Sequence, residues 1–381
     1  MRILEAFGEP ISYGGQETFV MNVLEAMGPS DFEADLLSPY YCDNKGIEDR
    51  LSALGGKVYT LGCSFRPGKS RGNTIAPLRD FLKDHSYDLI HIHSGSNSML
   101  AVLAMLAAEA GIPKIIVHSH CTGKHGAVHF ISKTLTSGIL KKYPTAYCAC
   151  TREAGEWRFS RKICREQLII LNNGIDTERF RFNAQTREKM RSELGLKEDT
   201  VLIACVGRIT YQKNQEFLID VLRTVMDSCS EGRDYRLILI GNDEERAALE
   251  TKAEAEGVLD RMIFTGPVDN VQDYLQAADV AVMPSRYEGL AIAAIEEQAA
   301  GLEILASEAV SRETAVTGSI TFLPADDKIK WGREIMKPHG RHPEQADQVY
   351  AQGFSIAETA SAVRQLYLDD QMPGKISRKE L

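Results

Sequence analysis

The sequence contains no stretch of about 18 consecutive apolar residues, the length that a helix needs to cross a bilayer, so we expect no membrane-spanning helix. The first residues, MRILEAFGEP, lack the long apolar core and the small-residue cleavage site of a secretory signal. The eight cysteines include no C-x-x-C pair, and several lie inside apolar runs, which favours buried free thiols in a reducing compartment. These absences predict a cytoplasmic protein.

The length and charge of the chain limit the number of domains and the kinds of binding partner that we expect. Its 381 residues exceed the ~100–200 that are usual for one domain, so we expect two. A net charge of −9 argues against nonspecific binding to nucleic acid. Residues 1–173 carry 19 Lys and Arg against 17 Asp and Glu, whereas the remainder carries 25 against 36. The first half is therefore the one suited to an anionic membrane surface.

Short apolar runs typical of strands alternate with longer helical patterns in two series, one ending near Cys148 and one starting at Val201. Such alternation predicts two α/β domains, each with a Rossmann-like parallel sheet. Between the series, the Asn173-Gly174 turn in LIILNNGIDTERF marks the predicted interdomain link. Ligands of open parallel sheets sit beyond the carboxyl ends of the strands, so two such domains facing each other would form a binding cleft.

One strand-end segment, MPSRYEGLAIAAIEEQAAGLEILAS, carries two glutamates eight residues apart, Glu288 and Glu296. If Gly289 opens a helix, both lie on the same side, with free N–H groups from Gly289 onward suited to a phosphate. Glu296 would then be placed to accept hydrogen bonds from ribose hydroxyls. A solvated helix face is the ordinary alternative for two such acids.

Two further loops follow predicted strands. In VLIACVGRITYQKNQEFLID, Arg208 comes directly after the strand and Lys213 five residues later, so two cations could neutralise a diphosphate. After the first strand, Tyr13-Gly14-Gly15 lets the backbone approach a ligand closely, although a plain turn explains it as well. This loop lacks the G-x-G-x-x-G spacing of a nicotinamide site, which weakens a dehydrogenase interpretation.

Histidines cluster in the first half of the chain. Each of two strands carries a pair at i, i+2 spacing, which places both members on one face of the sheet; the pairs are His91 with His93 and His118 with His120. Such a group could ligate a metal, but no third carboxylate ligand is obvious nearby. Strand-end histidines that hydrogen-bond a hydroxylated ligand are the alternative, and they fit a cleft better.

In this order, the motifs resemble retaining glycosyltransferases of family 4, which have the two-domain GT-B fold. The resemblance rests on an E-x7-E motif in YEGLAIAAIEE, supported by VGRITYQKN, LNNGIDTERF and YGGQE. The segments IIVHSHCTG, CACTREAGEWRF and AVSRETAVTGSITFLPADDKIKW resemble bacterial enzymes of capsular and exopolysaccharide synthesis. The matches run from Met1 to about Asp370, so they cover nearly the whole chain.

The resemblance implies roles for individual residues at a nucleotide-sugar site. Arg208 and Lys213 match the cations that hold the donor diphosphate and stabilise the leaving group. Glu288 matches the glutamate that contacts the transferred sugar, and Glu296 matches the ribose-binding carboxylate. The backbone positions near the phosphates match, in chain order, Gly15 with Gly14 beside it, Gly289 and Leu290.

A histidine at the end of a first-domain strand, which in the family lies at the catalytic site, matches His120 or His118, and His120 is nearer the following loop. The chain contains no D-x-D triplet, so we expect no metal at the diphosphate and no cofactor besides the donor, which is best interpreted as a UDP-sugar. The family usually has Pro where this chain has Ala291 and Glu303, which leaves donor binding intact but puts the local loop geometry in question.

The sequence thus predicts a retaining, metal-independent hexosyltransferase acting on a saccharide or lipid-linked acceptor. Its expected domains are an acceptor domain, 1–173, onto which a helix in 355–381 packs back, and a donor domain, 174–354. An epimerase of the same fold, or a catalytically silent nucleotide-sugar-binding protein of an assembly, are the alternatives. FISKTLTSGILKK mixes apolar residues with lysines, which fits either reversible docking on the inner membrane leaflet or an ordinary buried helix.

Overall fold

The structure, a computed structural model, describes residues 1–28, 32–66, 71–120, 127–229, 232–242 and 245–369. Contacts between residues divide the chain into two compact units. The first comprises Met1–Gly174 together with the helix that begins at Ile356, and the second comprises Ile175–Ser355. The division after Gly174 falls at the Asn173-Gly174 turn, where the sequence places the interdomain link.

The first unit contains a seven-stranded sheet in the order β3-β2-β1-β4-β5-β6-β7, and its neighbouring strands are all parallel. Its strands are β1 (Arg2–Phe7), β2 (Glu33–Ser38), β3 (Val58–Thr60), β4 (Leu89–His93), β5 (Lys114–Ser119), β6 (Ala146–Ala149) and β7 (Leu168–Ile170). Its helices before the interdomain division are α1 (Gly15–Met27), α2 (Lys45–Ala53), α3 (Ile75–Asp84), α4 (Asn97–Glu109), α5 (Ala127–Lys142), α6 (Arg152–Arg158) and α7 (Arg161–Glu166).

Helices cover both faces of this sheet, which explains why its central strands are apolar runs rather than alternating patterns. Leu103 of α4 and Leu140 of α5 belong to the core on one face, and Phe19 of α1 belongs to the core on the other. The strand order reverses between β1 and β4, so the ligand-binding point of an open parallel sheet lies at the carboxyl ends of these two neighbours.

The second unit contains a six-stranded parallel sheet in the order β10-β9-β8-β11-β12-β13. Its strands are β8 (Val201–Val206), β9 (Tyr235–Ile240), β10 (Met262–Gly266), β11 (Val280–Met283), β12 (Glu303–Ser307) and β13 (Ile320–Leu323). Its helices are α8 (Thr177–Phe180), α9 (Ala184–Glu193), α10 (Gln215–Ser228), α11 (Arg246–Ala255), α12 (Val271–Ala277), α13 (Ile292–Ala299), α14 (Lys328–Ile335) and α15 (Gln345–Ala351). The strand order reverses here between β8 and β11.

The last described helix, α16 (Ile356–Leu368), packs on the first unit beside α1. It buries Val363, Leu366 and Tyr367 in the apolar cluster that Phe19 also joins. The rest of the segment predicted to pack back, residues 370–381, lies outside the described residues. Across the described ranges, no helix combines the length and apolarity required to cross a membrane.

Candidate active site

The two loops of the second unit that carry predicted site residues follow β8 and β11, the neighbouring strands at which the strand order reverses. β8 ends at Val206 and leads directly to Arg208, whereas β11 ends at Met283 and leads to Glu288. The parallel pairing of the two strands brings their carboxyl ends to the same edge of the sheet. The fold therefore joins two motifs that are far apart in the chain.

Lys213 and Glu288 form the central contact of this edge, with 2.8 Å between Lys Nζ and Glu Oε2. Their side chains are only 20% and 14% exposed, so the pair is partly shielded from water. Ser285 donates from Oγ to the same carboxylate at 3.3 Å, and Gln212 donates from Nε2 at 3.4 Å. Glu288 is therefore oriented by three donors before any ligand arrives.

The loop after β8 is shaped by backbone that few residues adopt. Gly207 has φ of +138°, and a Cβ added there would lie 3.1 Å from Cε of Lys213. Asn214 is left-handed at φ 58°, and its Nδ2 donates to the carbonyl of Pro284 at 3.1 Å, which joins this loop to the one after β11. The glycine thus leaves room for the lysine, and the asparagine fixes the end of its loop.

Arg208 is exposed, and its guanidinium has no partner among the described residues. Its backbone carbonyl accepts a hydrogen bond from Nε2 of Gln215 at 2.9 Å, which ties the residue to the start of α10. The backbone is therefore anchored while the charged group remains available for an anion.

The helix that was expected to open at Gly289 begins instead at Ile292, so that prediction is wrong. The N–H of Glu288 donates to the carbonyl of Ala309 at 3.2 Å, and its carbonyl accepts from Ser311 at 3.1 Å. This pairing holds Glu288 in extended backbone and delays the helix. As a consequence, Glu288 and Glu296 do not share a helix, and the spacing argument that put them on one helical side does not hold.

Because α13 begins late, backbone N–H groups just before it are free to donate to a ligand. Within the described residues, the N–H groups of Gly289 and Leu290 donate to no acceptor. Ala291 is the N-cap residue of α13 and provides no side-chain cap. The first turn of the helix also has backbone N–H groups without intrahelical acceptors. The segment therefore has N–H groups that an anion could accept from, and the contact of Gly289 and Leu290 with a phosphate stays a prediction.

Glu296 lies inside α13, half-buried, and its carboxyl has no hydrogen-bond partner in the described chain. Burial raises the pKa of Glu296 to about 7, while Arg179 acts in the opposite direction. The next residue, Glu297, is fully buried, and neither of its carboxyl oxygens has a partner. Burial raises the pKa of Glu297 well above its ordinary value. Sequence reasoning missed Glu297; the signal was a second carboxylate directly after the motif glutamate.

In the first unit, the predicted glycine loop leads into a helix. Gly14 is the N-cap of α1 and Gly15 its first residue. A Cβ at Gly14 would lie 2.7 Å from Oε2 of Glu17, whose Oε1 already accepts the N–H of Ser12 at 3.0 Å. A side chain at position 14 would therefore make the flexible carboxylate of Glu17 shift, and the contact of this loop with a diphosphate stays a prediction.

Each histidine pair lies on one face of the first sheet, as its spacing predicts, and hydrogen bonds join the two pairs to a carboxylate and a phenol. His93 contacts Glu5 and His120, while His91 contacts Tyr367 and His118, all by ring nitrogens. His118 is completely buried, and His120, directly after β5, is 9% exposed. Whether either contacts a sugar stays a prediction.

This histidine cluster has the composition of a metal site, but most of its ring nitrogens already have hydrogen-bond partners. Nitrogens of His91, His93 and His118 lie within 4.8 Å of one another. Among the described residues, five of the six ring nitrogens of these three histidines have hydrogen-bond partners, and His118 Nε2 has none. Because the group does not offer three free ligand nitrogens, we assign no metal. Glu5 and Tyr367 were missed by sequence reasoning; the only signal was a carboxylate inside the apolar strand RILEAF.

Two family models match the chain. "Glycosyltransferase Family 4" matches residues 13–179, and "Glycosyl transferases group 1" matches residues 186–318, so the two together take in most of both units. The chain belongs to glycosyltransferase family 4. The resemblance to family 4 seen in the sequence is thereby confirmed.

Individual relatives of this family 4 glycosyltransferase support the same assignment. EpsF of Bacillus subtilis (strain 168), named a glycosyltransferase, is 27% identical over 334 residues, or 85% of this chain and 84% of EpsF. The UDP-Gal:alpha-D-GlcNAc-diphosphoundecaprenol alpha-1,3-galactosyltransferase of Escherichia coli is 24% identical, over 78% of this chain and 79% of that enzyme. The crystal structure of HepE from Anabaena in complex with UDP and glucose superposes with a TM-score of 0.73 at 16% identity, covering 96% and 99% of the two chains. The predicted GT-B fold class is confirmed.

The structure also accounts for one departure of this family 4 glycosyltransferase from the usual pattern. Glu303, where the family commonly has Pro, is the first residue of β12. It hydrogen-bonds Nδ1 of His339 at 2.9 Å, the N–H of Gly340 at 3.2 Å and Nε2 of His342 at 3.3 Å. The glutamate therefore holds the loop before α15, a structural task away from the predicted donor residues.

Proposed function

We propose that this family 4 glycosyltransferase transfers a sugar, with retention and without a metal, from a UDP-sugar to a saccharide or lipid-linked acceptor in cell-surface polysaccharide synthesis. One observation carries the proposal. Where the strand order of the second sheet reverses, Arg208, Lys213 and the free N–H groups of Gly289 and Leu290 all follow the neighbouring strands β8 and β11. Cations and unpaired N–H groups at such an edge suit a diphosphate.

The chemistry of sugar transfer fits these groups. The sugar passes through an oxocarbenium-like state while negative charge accumulates on the departing diphosphate. Fixed positive charge at that diphosphate is therefore the largest available contribution, and Arg208, Lys213 and the backbone N–H groups supply it without a metal. In this scheme a phosphate oxygen of the leaving group takes the acceptor proton, on the face from which the diphosphate departs, and His120 binds the sugar.

The two motif glutamates take different parts in this proposal. Glu288 is neutralised by Lys213 and pre-oriented by Ser285 and Gln212, so it can accept hydrogen bonds from the transferred sugar in a fixed direction. Glu296 has no partner in the described chain and is open to the ribose hydroxyls. A UDP donor is supported by the UDP and glucose bound in HepE, and a lipid-linked acceptor by the name of the Escherichia coli relative.

Binding of UDP tests the site directly. We expect UDP to raise the melting temperature of the wild type, because a ligand that binds the native state stabilises it by RT ln(1 + [L]/Kd). Lys213→Ala and Arg208→Ala should lose most of this shift. Lys197→Ala is the matched control, since Lys197 is an exposed cation that precedes β8, at the opposite end of the strand from Arg208.

Turnover tests the reaction. Both variants should lose nearly all release of UDP from the donor, and EDTA should leave the wild-type rate unchanged. Anomeric configuration of the product, determined by NMR, tests retention. Full activity in Lys213→Ala or Arg208→Ala would overturn the assignment of the diphosphate site. UDP binding without turnover towards any acceptor or water would favour the silent nucleotide-sugar-binding alternative.

We also propose that α5 docks reversibly on an anionic membrane. Its exposed positions recur at helical spacing, and they are Phe130, Ile131, Thr134, Leu135, Gly138, Lys141 and Lys142. Phe130 and Leu135 are 70% and 76% exposed, which is unusual for large apolar side chains. Apolar residues at one end of the stripe and lysines at the other suit an interface that carries acidic headgroups.

Vesicle sedimentation tests this docking. The wild type should sediment with vesicles rich in phosphatidylserine at low salt, and less so at high salt or with neutral vesicles. Phe130→Ser combined with Leu135→Ser should abolish sedimentation. Ile329→Ser is the control, because Ile329 is 55% exposed but belongs to the second unit. Equal sedimentation of the double variant and the wild type would contradict the proposal.

A further inference from the structure

A hydrogen-bonded network of six side chains lies on one face of the first sheet. Its centre is Glu5 of β1, which is 2% exposed, and two chains of contacts leave its two oxygens. We call the first the His120 arm: Glu5 Oε2 contacts His93 Nε2 at 2.7 Å, and His93 Nδ1 contacts His120 Nε2 at 2.7 Å. The arm connects a buried carboxyl to the histidine at the end of β5.

We call the second the His118 arm, and it leaves the other oxygen of the same carboxyl. The hydroxyl of Tyr367 donates to Glu5 Oε1 at 2.6 Å and contacts His91 Nδ1 at 2.7 Å. His91 Nε2 in turn contacts His118 Nδ1 at 3.2 Å. The phenol comes from α16, so this arm also connects the last described helix to the first sheet.

Each arm ends at a histidine ring nitrogen that has no hydrogen-bond partner among the described residues. His120 Nδ1 and His118 Nε2 are buried, and neither has a hydrogen-bond partner in the described part of the chain. The two terminal rings stack with centroids 3.9 Å apart, and Phe19 presents an edge to both of them. An unpartnered buried nitrogen is costly unless a ligand satisfies it, which marks these atoms as contacts for something outside the network.

The imidazoles of the network are neutral at physiological pH. Burial lowers the pKa of all four histidines, and that of His93 to about 3. The charge of Arg158 lowers the pKa of His120 further, and Cys148, on β6, is the other titratable group close to Tyr367. A neutral imidazole carries one N–H, so each ring donates through one nitrogen and accepts through the other.

Because each neutral ring has a single N–H, the protonation of Glu5 determines which nitrogen at the end of each arm carries no hydrogen. Burial raises the pKa of Glu5, whereas His91 and the hydrogen bond from Tyr367 lower it. When Glu5 is ionised it only accepts, so His93 donates to it from Nε2 and must accept at Nδ1, where His120 donates from Nε2. His120 Nδ1 is left as a bare acceptor. In the other arm Tyr367 donates to Glu5, His91 donates to Tyr367 from Nδ1, and His118 donates to His91. His118 Nε2 is likewise bare.

A proton on Glu5 reverses one arm and leaves the other unchanged. If that proton is donated to His93, the direction of both hydrogen bonds of the His120 arm inverts and His120 Nδ1 carries the hydrogen. If it is donated to Tyr367, His118 Nε2 carries it instead. The carboxyl at the centre therefore controls the hydrogen-bonding character of two atoms that it does not touch.

We propose that Glu5 is a positioning residue that acts through His93 to keep Nδ1 of His120 unprotonated, so that this nitrogen accepts a hydrogen bond from a hydroxyl of the transferred sugar. The inference rests on the proposed function, because it assigns the hydroxyl to that sugar. It adds a chemical requirement: the substrate must donate at this position. A sugar that lacks the hydroxyl leaves a buried acceptor unsatisfied, which a polar site of this kind rejects strongly.

Tautomers can be measured without any substrate. In protein labelled with ¹⁵N-histidine, long-range ¹H–¹⁵N spectra distinguish Nδ1–H from Nε2–H, and single histidine variants assign the signals. We expect Nε2–H for His93 and His120 and Nδ1–H for His91 and His118. Glu5→Gln preserves the shape but adds an amide donor, so it should reverse one arm. Glu9→Gln, another carboxyl of the first unit, should reverse neither.

Tyr367→Phe provides a second variant in case Glu5→Gln does not fold. It interrupts only the His118 arm, so the signals of His91 and His118 should change while His120 keeps its Nε2–H. Wild-type His120 with Nδ1–H, or tautomers that are identical in the wild type and Glu5→Gln, would overturn the inference.

Activity separates this inference from the proposed function. If Glu5→Gln reverses the His120 arm, kcat/KM should fall about tenfold or more, corresponding to one lost hydrogen bond to the sugar. The expected tautomers in a protein that neither binds UDP nor turns over a donor would leave the network standing and sink the proposed function. Normal turnover together with tautomers other than those expected would overturn the inference about Glu5 and leave the proposed function standing.

Discussion

Replacing Glu296 with Gln should stabilise the second unit at pH 8 but not at pH 4.5. Burial raises the pKa of the Glu296 carboxyl from 4.5 to about 7. The unfolded chain therefore ionises this group at a lower pH than the folded protein does. Between the two pKa values the folded state retains a proton that the unfolded state has lost, so stability falls as pH rises through this window and is constant above it.

The size of the effect follows from the shift. Each pKa unit corresponds to about 1.36 kcal/mol, so the 2.5 units between 4.5 and 7 amount to about 3 kcal/mol at pH 8 as an upper value, because Glu296 keeps some contact with solvent. Glutamine is neutral at every pH and similar in shape. It should remove this cost above pH 7 and gain almost nothing at pH 4.5.

Urea unfolding of the wild type and Glu296→Gln at pH 4.5 and pH 8 checks the prediction. Glu308→Gln is the matched control, since it removes one exposed negative charge from the same unit. UDP binding should weaken in Glu296→Gln if the carboxylate binds ribose, so a more stable protein should be a poorer binder. A gain of equal size at both pH values, or no gain at pH 8, would refute the reasoning.

Three further predictions concern neighbouring features. Gly207→Ala forces a Cβ at φ +138° against Lys213 and should cost about 1–3 kcal/mol in thermal unfolding and weaken UDP binding; an unchanged melting temperature would contradict it. Arg341→Lys should cost about 2–4 kcal/mol in urea unfolding, because the guanidinium donates to the carbonyls of Leu275, Gln276, Ala278 and Ala300; a loss below 1 kcal/mol would count against this role. Hydrogen bonds from His339 and Gly340 lower the pKa of Glu303, so Glu303→Gln should lose stability at pH 7 and approach the wild type as pH falls below 4; a pH-independent loss would contradict it.

Local patterns predicted much of the architecture. Strand and helix periodicities, together with turn residues, depend on neighbours in the chain, so the two α/β units and the loops after β1 and β8 could be inferred. The start of α13 could not be inferred from local patterns. The helix begins at Ile292 rather than Gly289 because Glu288 pairs with Ala309 and Ser311, about twenty residues further along.

Long-range contacts also explain what was missed. Glu5 and Tyr367 are 362 positions apart and hydrogen-bond at 2.6 Å because α16 returns to the first sheet. No pattern near either residue predicts that contact. Glu297 is buried without a partner although it stands beside a half-buried glutamate, and a one-residue step around a helix is enough to change the environment of a side chain.

Residue types and their positions in the chain were sufficient to predict the family, the two parallel α/β units and the cations at the end of a strand. These features depend on short segments and their order. The arrangement of the candidate site required the fold. Lys213 and Glu288 are 75 residues apart in the chain and 2.8 Å apart in space. Their pairing follows from the parallel register of β8 with β11, and register is set by how whole strands bury their side chains rather than by either residue.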